Sequence, residues 1–121
     1  MTTTAEVLIQ GEWAIMQIVK NGRELAAEHF ETLAAQDYRK VAAFLGRVAA
    51  IGPLHYGQEK NRQLGDQIFE LKPTSEVRLP YFFDGARTIV ITHAFTKKQP
   101  KAPRREIERA QTLRAEYLEE R

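Results

Sequence analysis

The 121-residue chain contains no cysteine. That excludes disulfides, zinc sites built on thiolates and thiol nucleophiles, and it suits a reducing compartment. Histidine is scarce as well. His29, His55 and His93 show neither HxxxH nor HxH spacing, so no metal site is expected, and no motif for another cofactor accompanies them. Long apolar runs are missing too. The opening MTTTAEVLIQGEWAIMQIV has no basic leader, and Gln10, Gly11, Glu12 and Gln17 interrupt it before it could span a bilayer. The expectation is a cytoplasmic protein with no membrane partner. Repeats, low-complexity segments and linkers are absent, and 43% hydrophobic content over this length fits one domain, residues 1–121, with its own core.

What is present is charge, unevenly placed. The net charge is only +2, yet residues 1–59 carry five cations and seven anions, residues 60–114 twelve and six, and residues 115–121 one and three. Six of the eighteen cations crowd into FTKKQPKAPRREIERA, from Phe95 to Ala110. A helix opening there gains nothing from them. The N-terminus is already the positive end of the macrodipole, so Arg104 and Arg105 in a first turn oppose stability by roughly 0.3–1 kcal/mol each. An anionic partner is one explanation, and a solvated helix entrance offset by Glu106 and Glu108 is the other.

The pattern of apolar residues gives an order of elements. WAIMQIV is apolar on both parities and reads as a strand covered on both faces, closed by Asn21-Gly22. RELAAEHFETLAAQ reads as a helix, and Asp37 as the cap of a second that ends at Gly52-Pro53, the two forming a hairpin. The stretch from Gly52 to Asp66 has three glycines and no period, which predicts a long loop. QIFELKP, EVRLPYFF and ARTIVITHAF predict three strands, the last two joined by an Asp84-Gly85 turn, and APRREIERAQTLRAEYLEER a closing amphipathic helix. The predicted class is α+β, ordered β-α-α-β-β-β-α, with helices on a mainly antiparallel sheet.

A two-residue turn at Asp84-Gly85 would set Arg78 opposite Ile91, Phe82 opposite Arg87 and Glu76 opposite His93. Arg78 and His93 would then share a face, with Lys97 and Lys98 just beyond and Lys60 and Arg62 supplied by the long loop. A three-residue turn would flip the parity and separate them. Such a cluster suits a phosphodiester backbone, because guanidinium matches phosphate geometry and ammonium supplies point charge. Phe82, beside Arg87, or Tyr56 would stack a base.

EKNRQLGDQIFELKP, EVRLPYFFDGARTIVITHAFTKK and PRREIERA resemble segments of the RelE/ParE toxin superfamily, in its HigB-like, phage-associated branch. The likeness spans roughly residues 13–118. It implies the toxin of a type II toxin–antitoxin pair: a metal-independent endoribonuclease that cuts messenger RNA on the ribosome and is silenced by a small antitoxin, expected to be a helix-turn-helix protein. By position Arg78 matches the family's strand arginine, and Lys97 or Lys98 the cation after the last strand. The expected catalytic set is Arg78, His93, Lys97 and Lys98, with Lys60, Arg62, Phe82, Arg87, Arg104 and Arg105 holding RNA. Where RelE itself has a functional tyrosine, this chain reads Pro-Arg-Arg-Glu-Ile-Glu-Arg. Two rival expectations are a ParE-like toxin that poisons a protein such as DNA gyrase and a nucleic-acid-binding module without catalysis.

Overall fold

The computed structural model describes residues 2–55, 61–98 and 103–121. In chain order the elements are β1 (Thr3–Gln10), β2 (Ala14–Lys20), β3 (Arg23–Glu24), α1 (Leu25–Phe30), α2 (Ala35–Ile51), a 3-10 turn (Pro53–His55), β4 (Asn61–Gly65), β5 (Ile68–Leu71), β6 (Val77–Phe83), β7 (Thr88–Ile91), β8 (Phe95–Thr96) and α3 (Arg104–Glu120). The sheet runs β1-β2-β7-β6-β5-β4, with β3 paired to β2 and β8 to β6. Every pairing is antiparallel except β2 with β7. The α+β class and the closing helix are as expected.

Strand alternation divides the apolar residues between two layers. Ile15, Leu71, Leu79, Tyr81, Ile89 and Ile91 point to one face and pack with Phe44, Leu45 and Val48 of α2. Ile18, Ile68, Phe82 and Val90 point to the other and pack with Ala110 and Leu113 of α3. The sheet is therefore the middle of three layers, which is why its central strands are apolar on both parities. Gly52 closes α2 with φ +88°, and a Cβ there would lie 2.6 Å from Trp13 Nε1.

Several expectations need correction. β1 was not anticipated: TTAEVLIQ pairs along the length of β2. The predicted pair of long helices is one 17-residue helix preceded by a six-residue one. Thr32 ends α1 by turning its backbone N–H and its hydroxyl onto the His29 carbonyl, and Ala34, not Asp37, precedes α2. Part of the expected loop, Asn61–Gly65, is an edge strand on β5 with a register irregularity between Gln63 and Gly65. The run ARTIVITHAF is broken, because Thr92–Ala94 lie outside both β7 and β8.

The hairpin register differs as well. Asp84 N–H donates to Thr88 O, so the turn residues are Gly85, Ala86 and Arg87, with Gly85 at φ +86° and Arg87 at φ +51°. This is the three-residue alternative. Phe82 stands opposite Val90 and Tyr81 opposite Ile91, not Phe82 opposite Arg87. Past Ile91 the register slips once more, and Arg78 stands opposite Phe95.

Candidate nucleic-acid interface

Where the N-terminal end of α3 meets the sheet, four cations gather around one buried carboxylate. Glu70 on β5 is opposite Arg62 of β4, and its other neighbour, Pro80, shares a face with Arg78 of β6. Glu70 has 0% exposure, with its Oε1 3.4 Å from Arg62 Nη2 and 3.7 Å from Arg78 Nε. Lys97 follows β8, where its N–H donates to Glu76 O. Partial burial and the neighbouring Arg78 charge pull the Lys97 ammonium below its usual range; Glu70 opposes this, while Arg62 and Lys72 add to it. Even with Glu76 and Glu106 nearby, Arg62, Lys72, Arg78, Lys97, Lys98 and Arg105 leave this end of the sheet with a positive excess over Glu70.

Arg78 is a different residue from the exposed strand arginine the sequence leaves open. It is 6% exposed, and its Nη1 donates to Thr74 O and Val77 O at 2.9 Å while Nη2 donates to Ser75 O at 3.0 Å. Burial lowers its affinity for the proton and Glu70 restores part of it. Its guanidinium thus clamps the Thr74–Val77 turn and adds charge to the cluster through the field. Arg62, half-buried at the sheet edge, is better placed for direct contact with an anion.

His93 is withdrawn from the surface, with 1% exposure. Its Nδ1 lies 2.9 Å from Thr92 Oγ1 and its Nε2 3.1 Å from Glu106 Oε1. A neutral ring satisfies both if the Thr92 hydroxyl donates to Nδ1 and Nε2–H donates to the carboxylate. Burial, with the nearby Arg109 charge, pushes the His93 pKa down to about 4 against the pull of Glu106. Its ring also stacks on Phe95, the cross-strand neighbour of Arg78. At neutral pH His93 is an uncharged, enclosed group, ill placed to exchange protons with a substrate. His29, whose Nε2 is 2.9 Å from Thr96 Oγ1, is likewise lowered by burial, partly offset by Glu106.

The other expected residues divide. Lys97, Lys98 and Arg105 line one depression of about 310 Å³, with Phe95, Thr96 and Glu106. Arg104 turns outward and pairs with Glu108 at 3.2 Å. Arg87 sits in the hairpin turn at the other end of β6, paired with Glu12 at 2.8 Å. Phe82 is 1% exposed in the α3-side core, against Tyr117 and under the Arg114 guanidinium, so it offers no face to a base. Lys60 and Tyr56 lie outside the described residues. Sequence reasoning missed Glu70 and Lys72. ELK after an apolar strand gives no sign that its Glu is buried, whereas its parity with Arg78 does, once the β5–β6 register is known.

Among the described residues no group of three or more His, Asp or Glu is placed to hold a metal ion, and no helix is long and apolar enough to cross a membrane. No curated protein matches the chain. A family model does match, over residues 28–115, which include β4 to β8, the whole cationic cluster and most of α3. The chain belongs to the phage-derived Gp49-like family (DUF891), a family associated with RelE-like toxins.

Proposed function

We propose that the protein is the toxin of a toxin–antitoxin pair, HigB-like in kind, that acts on messenger RNA at the ribosome as an endoribonuclease and is held silent by a small cognate antitoxin. The observation that carries this reading is the gathering of Arg62, Lys72, Arg78 and Lys97 about Glu70, with Lys98 and Arg105 beside it. A scissile phosphodiester fits such a site. The ribose 2′-hydroxyl attacks phosphorus, its proton leaves to a base, the P–O5′ bond breaks, and O5′ takes a proton. Positive charge stabilises the pentacoordinate oxygens between these steps. Arg62 and Lys98 meet the phosphate, Arg78 supplies field, and Lys97, with its lowered proton affinity, transfers the proton. His93 supports the fold instead.

The test is primer extension on a reporter message in a translation system, with and without the start codon. Cleavage within the translated message only, reduced about 10²-fold by Lys97→Ala, is the expected outcome. Equal cutting of both messages removes ribosome dependence. Co-expression with the adjacent small gene should restore growth, and failure to co-purify at low and moderate salt counts against that pairing. One observation favours a second reading. With His93 enclosed and neutral, a ParE-like toxin acting on a protein target would need no surface acid–base pair, and intact messages with DNA damage would select it.

A further inference from the structure

The cationic end of the sheet continues along one flank of α3. Beyond the depression lined by Lys97, Lys98 and Arg105 lies a second, of about 240 Å³, bounded by Arg23 and Arg109, and then a third, of about 410 Å³, bounded by Arg23, Arg109 and Lys20. Arg105, Arg109 and Thr112 follow one another at helical spacing, so the three form a single path along the helix. From Arg105 to Thr112 the helix rises about 10 Å, and the ends at Lys97 and Lys20 lengthen the path to roughly twice that.

The two flanks of α3 are charged differently. On the outer side Arg104 is tied to Glu108. On the path Arg105 and Arg109 have no carboxylate within ion-pair distance among the described residues, and Glu106 is turned inward to neutral His93. Glu28 and Glu116 are each spoken for by Arg23 and Lys20, at 2.7 and 2.9 Å. Six cations against three acids leave a positive excess that helix stability does not explain, since the dipole opposes it at this end. The apolar residues along the path, Leu25, Ala94, Phe95 and Leu113, are only 3–8% exposed. A protein partner would want an exposed apolar centre. A chain of phosphates would not.

We propose that this flank is a track for single-stranded RNA, with Arg105, Arg109 and Arg23 each meeting a phosphate of the strand whose scissile group lies at Lys97. The inference rests on the RNA reading above and adds the route and Arg109, Arg23 and Lys20 to it. Contacts are to phosphates, because no exposed aromatic lines the path, so the track is indifferent to sequence.

Binding of non-cleavable 2′-O-methyl oligonucleotides, one of about three nucleotides and one of about twelve, followed by fluorescence anisotropy across salt, tests this. The longer strand should bind more tightly and with a steeper salt dependence. The R23A/R109A protein should lose about 1.4 from the logarithmic salt slope for the long strand, near 0.7 per phosphate, and bind the short one as before. R39A/K40A, which removes the same charge from exposed positions on α2, should change neither. If the two double variants behave alike, or the long strand gains nothing over the short, the track is wrong while short-strand binding still supports the site. If neither strand binds, the RNA reading falls and the track with it. Preferential binding of polyglutamate, lost in R23A/R109A, would assign the flank to an acidic protein segment and overturn the proposal.

Discussion

Replacing Arg78 by Met should destabilise the protein before it says anything about catalysis. The substitution keeps the stem and removes the guanidinium that lies within the protein beside Glu70, leaving the fully buried carboxylate with Arg62, 3.4 Å away at the half-exposed sheet edge, and the field of Lys97. Breaking a buried pair from one side costs about 3–5 kcal/mol, because the surviving charge is uncompensated. The three carbonyls that Arg78 serves at 2.9–3.0 Å add less, since Ser75 is exposed and Thr74 half-buried, so water can replace part of what is lost. A loss of about 4 kcal/mol is a large share of the 5–15 kcal/mol typical of a domain. Urea unfolding followed by circular dichroism measures it, with an unchanged m-value showing that the denatured state is not at issue. Glu70→Gln should cost less, about 1–2 kcal/mol, because the carbonyls still hold Arg78. The double variant should be more stable than the sum of the two losses predicts, by about 1–3 kcal/mol, since it leaves neither charge stranded. An Arg78→Met protein within about 1 kcal/mol of the parent, or strict additivity, would refute the clamp and return Arg78 to the role of a free phosphate ligand.

His93 makes stability depend on pH in a stated direction. Its folded pKa of about 4 lies below the unfolded value near 6.5, so the unfolded chain binds the extra proton first; the stabilisation is complete above about pH 6.5 and is lost as pH falls through 4. The gap is worth about 3 kcal/mol, and His93→Gln should flatten the urea midpoint against pH between 4 and 7 relative to the parent; an unchanged slope would place the titration elsewhere. Phe82→Ala should cost about 3–5 kcal/mol in thermal or urea unfolding, as a core residue does, and leave the affinity of the folded protein for RNA intact. Gly52→Ala should cost about 3 kcal/mol, because the backbone at φ +88° and ψ 158° suits glycine alone and the added Cβ meets the Trp13 indole; near-wild-type unfolding would show that Trp13 can move aside.

The elements legible in the sequence are those whose signal is their own. IFEL, VRLPYFF and TIVI are short apolar runs bounded by turn residues, and they fold as β5, β6 and β7. The stripe Ile107, Ala110, Leu113 and Tyr117 reads as the buried side of a helix, and α3 packs on the sheet through Ala110, Leu113 and Tyr117, with Ile107 half-buried at its edge. β4 had no such signal. NRQLG is a polar edge strand that owes its conformation to β5 beside it, and its alternation is interrupted at Gly65. β1 was hidden differently: TTAEVLIQ has the alternation of a strand only up to Val7, where a bulge on the way to Ile9 breaks the period.

The candidate site turns on a quantity smaller than any element, the number of residues in one turn. Asp84-Gly85 reads as a two-residue hairpin, and that register puts Arg78 and His93 on one face. The additional left-handed residue, Arg87, carries no glycine to announce it, yet it lengthens the turn by one and exchanges the faces of β7 relative to β6. The irregular stretch at Thr92–Ala94 then shifts the frame again, which returns Phe95 to Arg78's side and leaves His93 to Thr92 and Glu106. A three-residue change of register at the turn and a one-residue slip beyond Ile91 therefore decide which titratable group stands near the cationic cluster. Lys97 survives both, because its position depends on the end of β8 and not on the hairpin, and it is Lys97 that shares the field of Arg78, Glu70, Arg62 and Lys72. Cations placed by strand ends are readable from sequence when the strand is; side chains placed by register are readable only when every turn between them is.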